Sequence, residues 1–292
     1  GLTIKSAKGN FTVHPPAASD PRELATPDLI ILAVKAYDLD EVMTQLEPVL
    51  TDRTVILTLQ NGIDTEDRII SRLHRDCVVG GVAFIYSKIV EPGVIEHYKR
   101  GGVAIGELMG HKSERVSQIA DIFKQAGISC QLSEDIRKSK WEKMCWNCVF
   151  NPLTVVIDDK VAKALDHPEM AGVIRQIVGE VAAVSAAVKV PLAPDMAEKV
   201  VKWTQELRDI HTSMYDDWKA KRPTEIHYLN GYIVRVGREL GIPTPVNEAL
   251  TAMVKTITEK ELSGPGIVRI DGAVVQPVSL TRTALGQLPR EQ

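Results

Sequence analysis

No stretch of this chain stays apolar for the roughly 18 residues that would read as a membrane span. No charge of one sign dominates either. Thirty-five Lys and Arg against 38 Asp and Glu leave a formal net charge of -3, so nothing electrostatic argues for nucleic acid or an anionic membrane as partner. Cysteine is scarce and scattered: the 4 thiols, Cys77, Cys130, Cys145 and Cys148, form no disulfide framework and fit a reducing cytoplasm. The opening "GLTIKSAKGN" lacks the basic-then-apolar layout of a secretory signal. A glycine-rich G-x-G-x-x-G turn is also missing. The nearest strings, "GGVAIG" and "GPGIVR", have the wrong spacing and context.

What is present is ordinary for a globular protein, with 44% apolar and 25% charged residues. A length of 292 residues suggests two domains. Up to residue 132 the chain alternates strand and helix patterns. "DLIILAV" and "TVILTLQNGI" read as buried strands, each followed by a segment of helical period, and "CVVGGVAFIYSKI" reads as a third strand. "GVIEHYKRGGVAIGE" suggests two shorter strands around "KRGG", and "SERVSQIADIFKQAGI" a helix ending at Gly127. This alternation predicts a parallel sheet covered by helices. From Ser133, a plausible N-cap, the periods are helical throughout, with Pro152 limiting or kinking the first long helix. The expected architecture is therefore α/β, a Rossmann-like domain over 1–132, then an all-α domain over 133–262. Residues 263–292 fit neither pattern and read as an extended tail.

The stretch "WEKMCWNCVFNPL" offers two candidate sites. Cys145 and Cys148 make a C-x-x-C, but there is no second pair for a structural zinc. They also fall inside a helix rather than at its opening, where a dipole would activate a thiol. Packing is the better reading. Lys143, Asn147 and Asn151 stand four apart, within an arc of about 80° on a helix otherwise apolar around most of its circumference. Either they form one wet edge, or they line a pocket in which the lysine gives a proton and the amides hold a small oxygenated ligand. Lys35 and Asn61-Gly62 close two successive strands, where α/β folds bind ligands. Their plainer readings are an exposed charge and a turn. Ser213 and Glu225 are explained as a helix cap and a first-turn acid. His211 and His227 have no metal-like partner spacing, and no metal is expected.

Together "LAVKAYD", "LQNGI", "EPGVIEH", "KWEKMCWNCVFNPLT", "TSMYDDWKAKRPTEIHYLNGYIV" and "GIPTPVNEAL" resemble ketopantoate reductase in order and spacing, from about residue 25 to 257. The resemblance implies a nucleotide-binding domain and a helical domain with the active site between them. It also implies NADPH (NADP) as cofactor and a small 2-oxo acid as substrate. The implied reaction is reduction of 2-dehydropantoate to pantoate, a step of pantothenate synthesis. Position by position, Lys143 matches the general acid, which also binds substrate. Asn147, Asn151 and Ser213 match substrate ligands, and Lys35, Asn61 and Glu225 match cofactor contacts. Ser87, in the loop before "EPGVIEH", is a further cofactor match. A lysine suits that role, because hydride delivered to a ketone carbon leaves negative charge growing on oxygen. Glu225 either anchors a ribose hydroxyl or orients the lysine.

Two departures qualify this. The missing glycine turn leads to the expectation that a β-α-β unit of roughly 30 residues precedes "GLTIKSAKGN". A protein truly lacking it should bind dinucleotide poorly. Second, "VVIDDKVAKAL" carries Asp158 and Asp159 where the family often has another substrate-contacting asparagine, and an acid there would repel a carboxylate. A reductase of another 2-oxo acid is therefore the alternative, and a non-catalytic dimeric scaffold the second. A homodimer is the one macromolecular partner with a motive. Trp141, Trp146 and Trp203 would suit contacts between copies, although helical tryptophans are more often core.

Overall fold

A computed structural model describes residues 1–262, 268–270 and 273–275. Within the expected tail, Val268–Ile270 pairs antiparallel with Ala273–Val275; the rest of that tail lies outside the described residues. The strands are β1 (Leu2–Ser6), β2 (Phe11–Val13), β3 (Leu29–Leu32), β4 (Val55–Thr58), β5 (Val78–Glu91), β6 (Val94–Gly106) and β7 (Ser129–Leu132). They form one sheet in the order β2-β1-β6-β5-β4-β3, with β7 also on β6.

β3, β4 and β5 are parallel, linked by α1 (Leu39–Leu46) and α2 (Thr65–Leu73). The sheet as a whole is mixed. β5 turns tightly at Gly93, whose φ of 78° a side chain would disfavour, and so tight a turn can join only antiparallel strands. β6 then returns along β5 from Val94 to Gly106. The sequence suggested two strands here, yet β6 runs unbroken through "KRGG". Ile85 pairs with Arg100 and Phe84 with Gly102, so Gly101, at φ 124°, bulges out of the ladder. The signal for a break was real, but it marks where β6 changes neighbours, from β1 to β7.

After α3 (Glu114–Gln125), capped by Ser113, the helical half begins with α4 (Ile136–Ile157). Its N-cap is Asp135, whose Oδ1 accepts from the Lys138 N–H at 2.9 Å, and not Ser133, which meets Ser139 Oγ instead. Pro152 does not end α4. A proline at 152 cannot donate to the Cys148 carbonyl one turn back, and Asn230 Nδ2 donates to it instead at 2.8 Å. Asn230 Nδ2 also reaches Asn247 Oδ1 at 3.0 Å, and Asn247 Nδ2 donates to Glu180 at 2.6 Å. A buried polar chain thus carries the helix through its proline.

Around α4 lie α5 (Val161–Asp166), α6 (Met170–Ala187), α7 (Met196–Thr204), α8 (Ser213–Lys219), α9 (Asn230–Leu240) and α10 (Pro245–Leu262). Trp141, Met144, Phe150 and Leu153 of α4 pack with Ile177, Val200, Met214, Ile233 and Val254 from these helices. α6 has the length and mean hydropathy of a membrane span, although it carries Arg175 and Glu180. Its Ile174, Ile177, Val181 and Val184 are buried against this core. Trp141 is interior and Trp146 partly buried, donating to Thr204 Oγ1 at 3.1 Å; Trp203 stays exposed.

Candidate active site

Two strand ends and one helix face make the site. β4 leaves the sheet through Gln60 and Asn61 and turns into α2 at Gly62, whose φ of 102° favours glycine. Beyond the end of β3 at Leu32, the chain passes through Lys35 and Ala36 into a 3-10 turn. Facing these carboxyl ends, α4 presents Lys140, Lys143, Met144 and Asn147, which line one cleft with Gln60, Asn61, Gly62, Gly81 and Val82. At Gly81 a Cβ would fall 2.6 Å from the Thr58 carbonyl oxygen, so the cleft floor must stay bare there.

The polar stripe of α4 is an inner face and not a wet edge. Asn147 is 4% exposed and Asn151 2%. Asn151 Oδ1 is buried with no hydrogen-bond partner, a condition native folds rarely leave without purpose. Lys143 Nζ donates to the Ala83 carbonyl at 2.9 Å, using one of its three N–H bonds. Its pKa is lowered to about 8, chiefly by burial, with Glu225 opposing the shift and Lys140 adding a smaller push downward. The neighbouring thiols are inert. Burial pushes Cys145 up to about 12 and Cys148 well above its usual range, leaving both neutral and packed in the helical core.

Glu225 joins the two halves. It opens a 3-10 turn, Glu225–His227, ahead of α9 and not α9 itself. Its Oε1 accepts from the Ala36 N–H at 2.9 Å and its Oε2 from Asn61 Nδ2 at 3.3 Å. Lys35 Nζ is 2.5 Å from Asp217 Oδ2 and 3.9 Å from Glu225, so it is a partnered charge and not a free one. Asp217 in turn accepts from Arg222 Nε at 3.0 Å.

The cap of α8 is Thr212, whose Oγ1 accepts from the Tyr215 N–H at 3.3 Å. Ser213 is therefore the first helical residue, exposed, and on the same face as Asp217 one turn later. Ser87 is not brought to the cleft. It lies within β5 rather than in a loop, exposed, about 13 Å along the strand from Ala83. Asp158 caps the far end of α4, about 10 Å of helix beyond Asn151. Its carboxylate is engaged by Lys219 at 2.6 Å and Tyr215 OH at 3.0 Å, and those bonds hold its pKa below the usual range. At Asp158 the repulsion anticipated from the sequence is thus largely neutralised.

Sequence reasoning missed Gln60, Glu66, Lys140 and Asp217. Lys140 had a usable signal, standing three residues before Lys143 on one helix face. Glu66 and Asp217 carry no signal in the sequence that sets them apart from the acids beside them, and only the packing shows both to be buried.

Family models for the ketopantoate reductase PanE/ApbA match residues 1–110, and for its C-terminal part residues 135–258. A 2-dehydropantoate 2-reductase of Pyrococcus horikoshii is 31% identical over 245 residues, covering 83% of this chain and 78% of the relative. One from a Nostoc species is 26% identical over 270 residues, covering 90% and 85%. The crystal structure of 2-dehydropantoate 2-reductase from Geobacter metallireducens superposes with a TM-score of 0.83 at 28% identity, covering 88% of this chain and 86% of that one. A D-mandelate dehydrogenase solved with NADH and anilino(oxo)acetate gives 0.81 at 27%, covering 89% and 85%. With both halves matched in order and these relatives covered over most of their length, this chain belongs to the ketopantoate reductase family.

Proposed function

We propose that this protein reduces 2-dehydropantoate to pantoate with NADPH, and that Lys143 is the general acid. The observation that carries the reading is Lys143 itself. It is an ammonium in a cleft lined by Gln60 and Asn61 at the end of β4, by Gly81 and Val82 of β5 and by the buried Asn147 amide, with its pKa drawn to about 8. A group so poised is mostly protonated at neutral pH yet gives its proton up readily.

The residues present fit the nicotinamide–ribose end of a dinucleotide. Asn61, Glu225 and Lys35 would hold it, and Gln60 Oε1, buried without a partner, is an acceptor suited to an amide or hydroxyl donor. When bound, the reduced nicotinamide supplies the hydride. Lys143 aims the N–H bonds left over from Ala83 into the cleft and donates a proton to the oxygen on which charge develops. Asn147 and Asn151 would orient the oxo-acid end without a charge that would compete with the ammonium, and the Ser213 hydroxyl would add a further substrate contact. Met144 and Val82 exclude water, which strengthens these interactions.

The test is consumption of NADPH, followed by nicotinamide absorbance, on adding 2-dehydropantoate to the protein. Oxidation that disappears in Lys143→Ala supports the reading. A second reading is reduction of another 2-oxo acid, favoured by the similarity to D-mandelate dehydrogenase with its NADH. NADPH or NADH oxidation with a bulkier 2-oxo acid, and none with 2-dehydropantoate, would select it.

A further inference from the structure

We propose that Lys140 and Glu66, a buried ion pair anchored to β4 through Thr58, are positioning residues that set the protonation of Lys143. This rests on the reading of Lys143 as general acid. Lys140 is 5% exposed and Glu66 2%. Lys140 Nζ donates to both carboxylate oxygens of Glu66, and Thr58 Oγ1 donates to Oε1 of the same group. The pair thus ties α4 to α2 and to β4, the strand whose end carries Asn61. Lys140 lies one helical turn before Lys143 and shares its cleft.

Removing two charges from water costs more than their attraction returns unless geometry is very good. An apolar pair would hold α4 against the sheet equally well. What the ion pair adds is a fixed positive charge one helical turn from the acid, its counter-charge held on α2. The charged groups bearing on Lys143 are Lys140 from its own helix and Glu225 from the 3-10 turn. Glu66 acts from α2 through Lys140, and Lys35 with Asp217 act through Glu225. β5 faces it with the Ala83 carbonyl. Lys140 disfavours a second ammonium and so makes Lys143 a stronger acid; Glu66 moderates that push.

The two members should therefore move Lys143 in opposite directions. In Glu66→Gln the bare Lys140 charge should shift the alkaline limb of kcat/KM down by about one pH unit. In Lys140→Met the uncompensated Glu66 should shift it up by a similar amount. The isotope-labelled Cε resonance of Lys143, assigned by its loss in Lys143→Arg, reads the titration without reference to activity. A resonance that moves as predicted while the rate limb stays put would uphold this tuning and remove Lys143 as the acid. A resonance that stays put in both variants overturns the proposal. Should either single variant fail to fold, the charge-neutral double variant carries the test. Its resonance should move up by less than one unit, because Lys140 bears on Lys143 directly and Glu66 only through it, and no movement overturns the proposal.

Discussion

The alkaline limb of the pH profile is the most informative measurement on Lys143. With a pKa of about 8, roughly a tenth of the ammonium remains at pH 9 and about a hundredth at pH 10. Reduction should therefore run level up to about pH 8 and fall about tenfold per unit above it. An ordinary lysine, titrating near 10.4, would hold the rate level for two units more. Lys143→Ala should remove general-acid catalysis worth about 10²–10⁴ in rate, or roughly 2.7–5.4 kcal/mol of barrier, and abolish the limb. Lys143→Arg keeps a charge but holds its proton too tightly, and should be nearly as slow. Stability runs the other way. Burial disfavours the ammonium in the folded state, so its cost is present below about pH 8 and fades as pH rises towards the unfolded value. Lys143→Met should then melt no lower than wild type at pH 7, with any advantage shrinking above pH 8. Wild-type-like turnover in Lys143→Ala, or a level profile to pH 10 in the parent, would refute the assignment.

Asn151→Ala should raise KM for the oxo acid and lower kcat, since its buried Oδ1 is left without a protein partner one turn beyond Asn147, while a melting temperature within a few degrees of wild type separates this from unfolding. Asn230→Leu should cost about 1–3 kcal/mol in urea unfolding by stranding the Cys148 carbonyl that Pro152 cannot serve; an unchanged midpoint would show that α4 satisfies it otherwise. Gly81→Val should abolish activity, because even a Cβ meets Thr58 O at 2.6 Å, and recovery of soluble, active protein would count against the packed cleft floor. Cys145→Ala with Cys148→Ala should leave the pH profile unmoved, since both thiols are buried and neutral; a lost or shifted limb would return the C-x-x-C to the chemistry.

Period and punctuation in the sequence were enough for the alternation of β3 to α3, the helical half after Ser133, and the shared face of Lys143, Asn147 and Asn151. These depend on local propensity and on the 3.6-residue repeat, which a single chain segment carries within itself. The unbroken run of β6, by contrast, depends on a β5 partner that tolerates bulges at Tyr98 and Gly101. Asp135 outcompetes Ser133 as cap because the chain arrives with its carboxylate beside the Lys138 amide. α4 survives Pro152 because Asn230, 78 residues on, supplies the missing donor. Whether the amide stripe was a wet edge or a pocket depended on which surface covered it, and that surface comes from β4 and β5. The same holds for Glu66 and Asp217, whose burial follows from Lys140 and Lys35 being folded against them. Local pattern determined where each reactive side chain points along its own element; only the packing of sheet against helix decided which charges lose water, and so which of them can do chemistry.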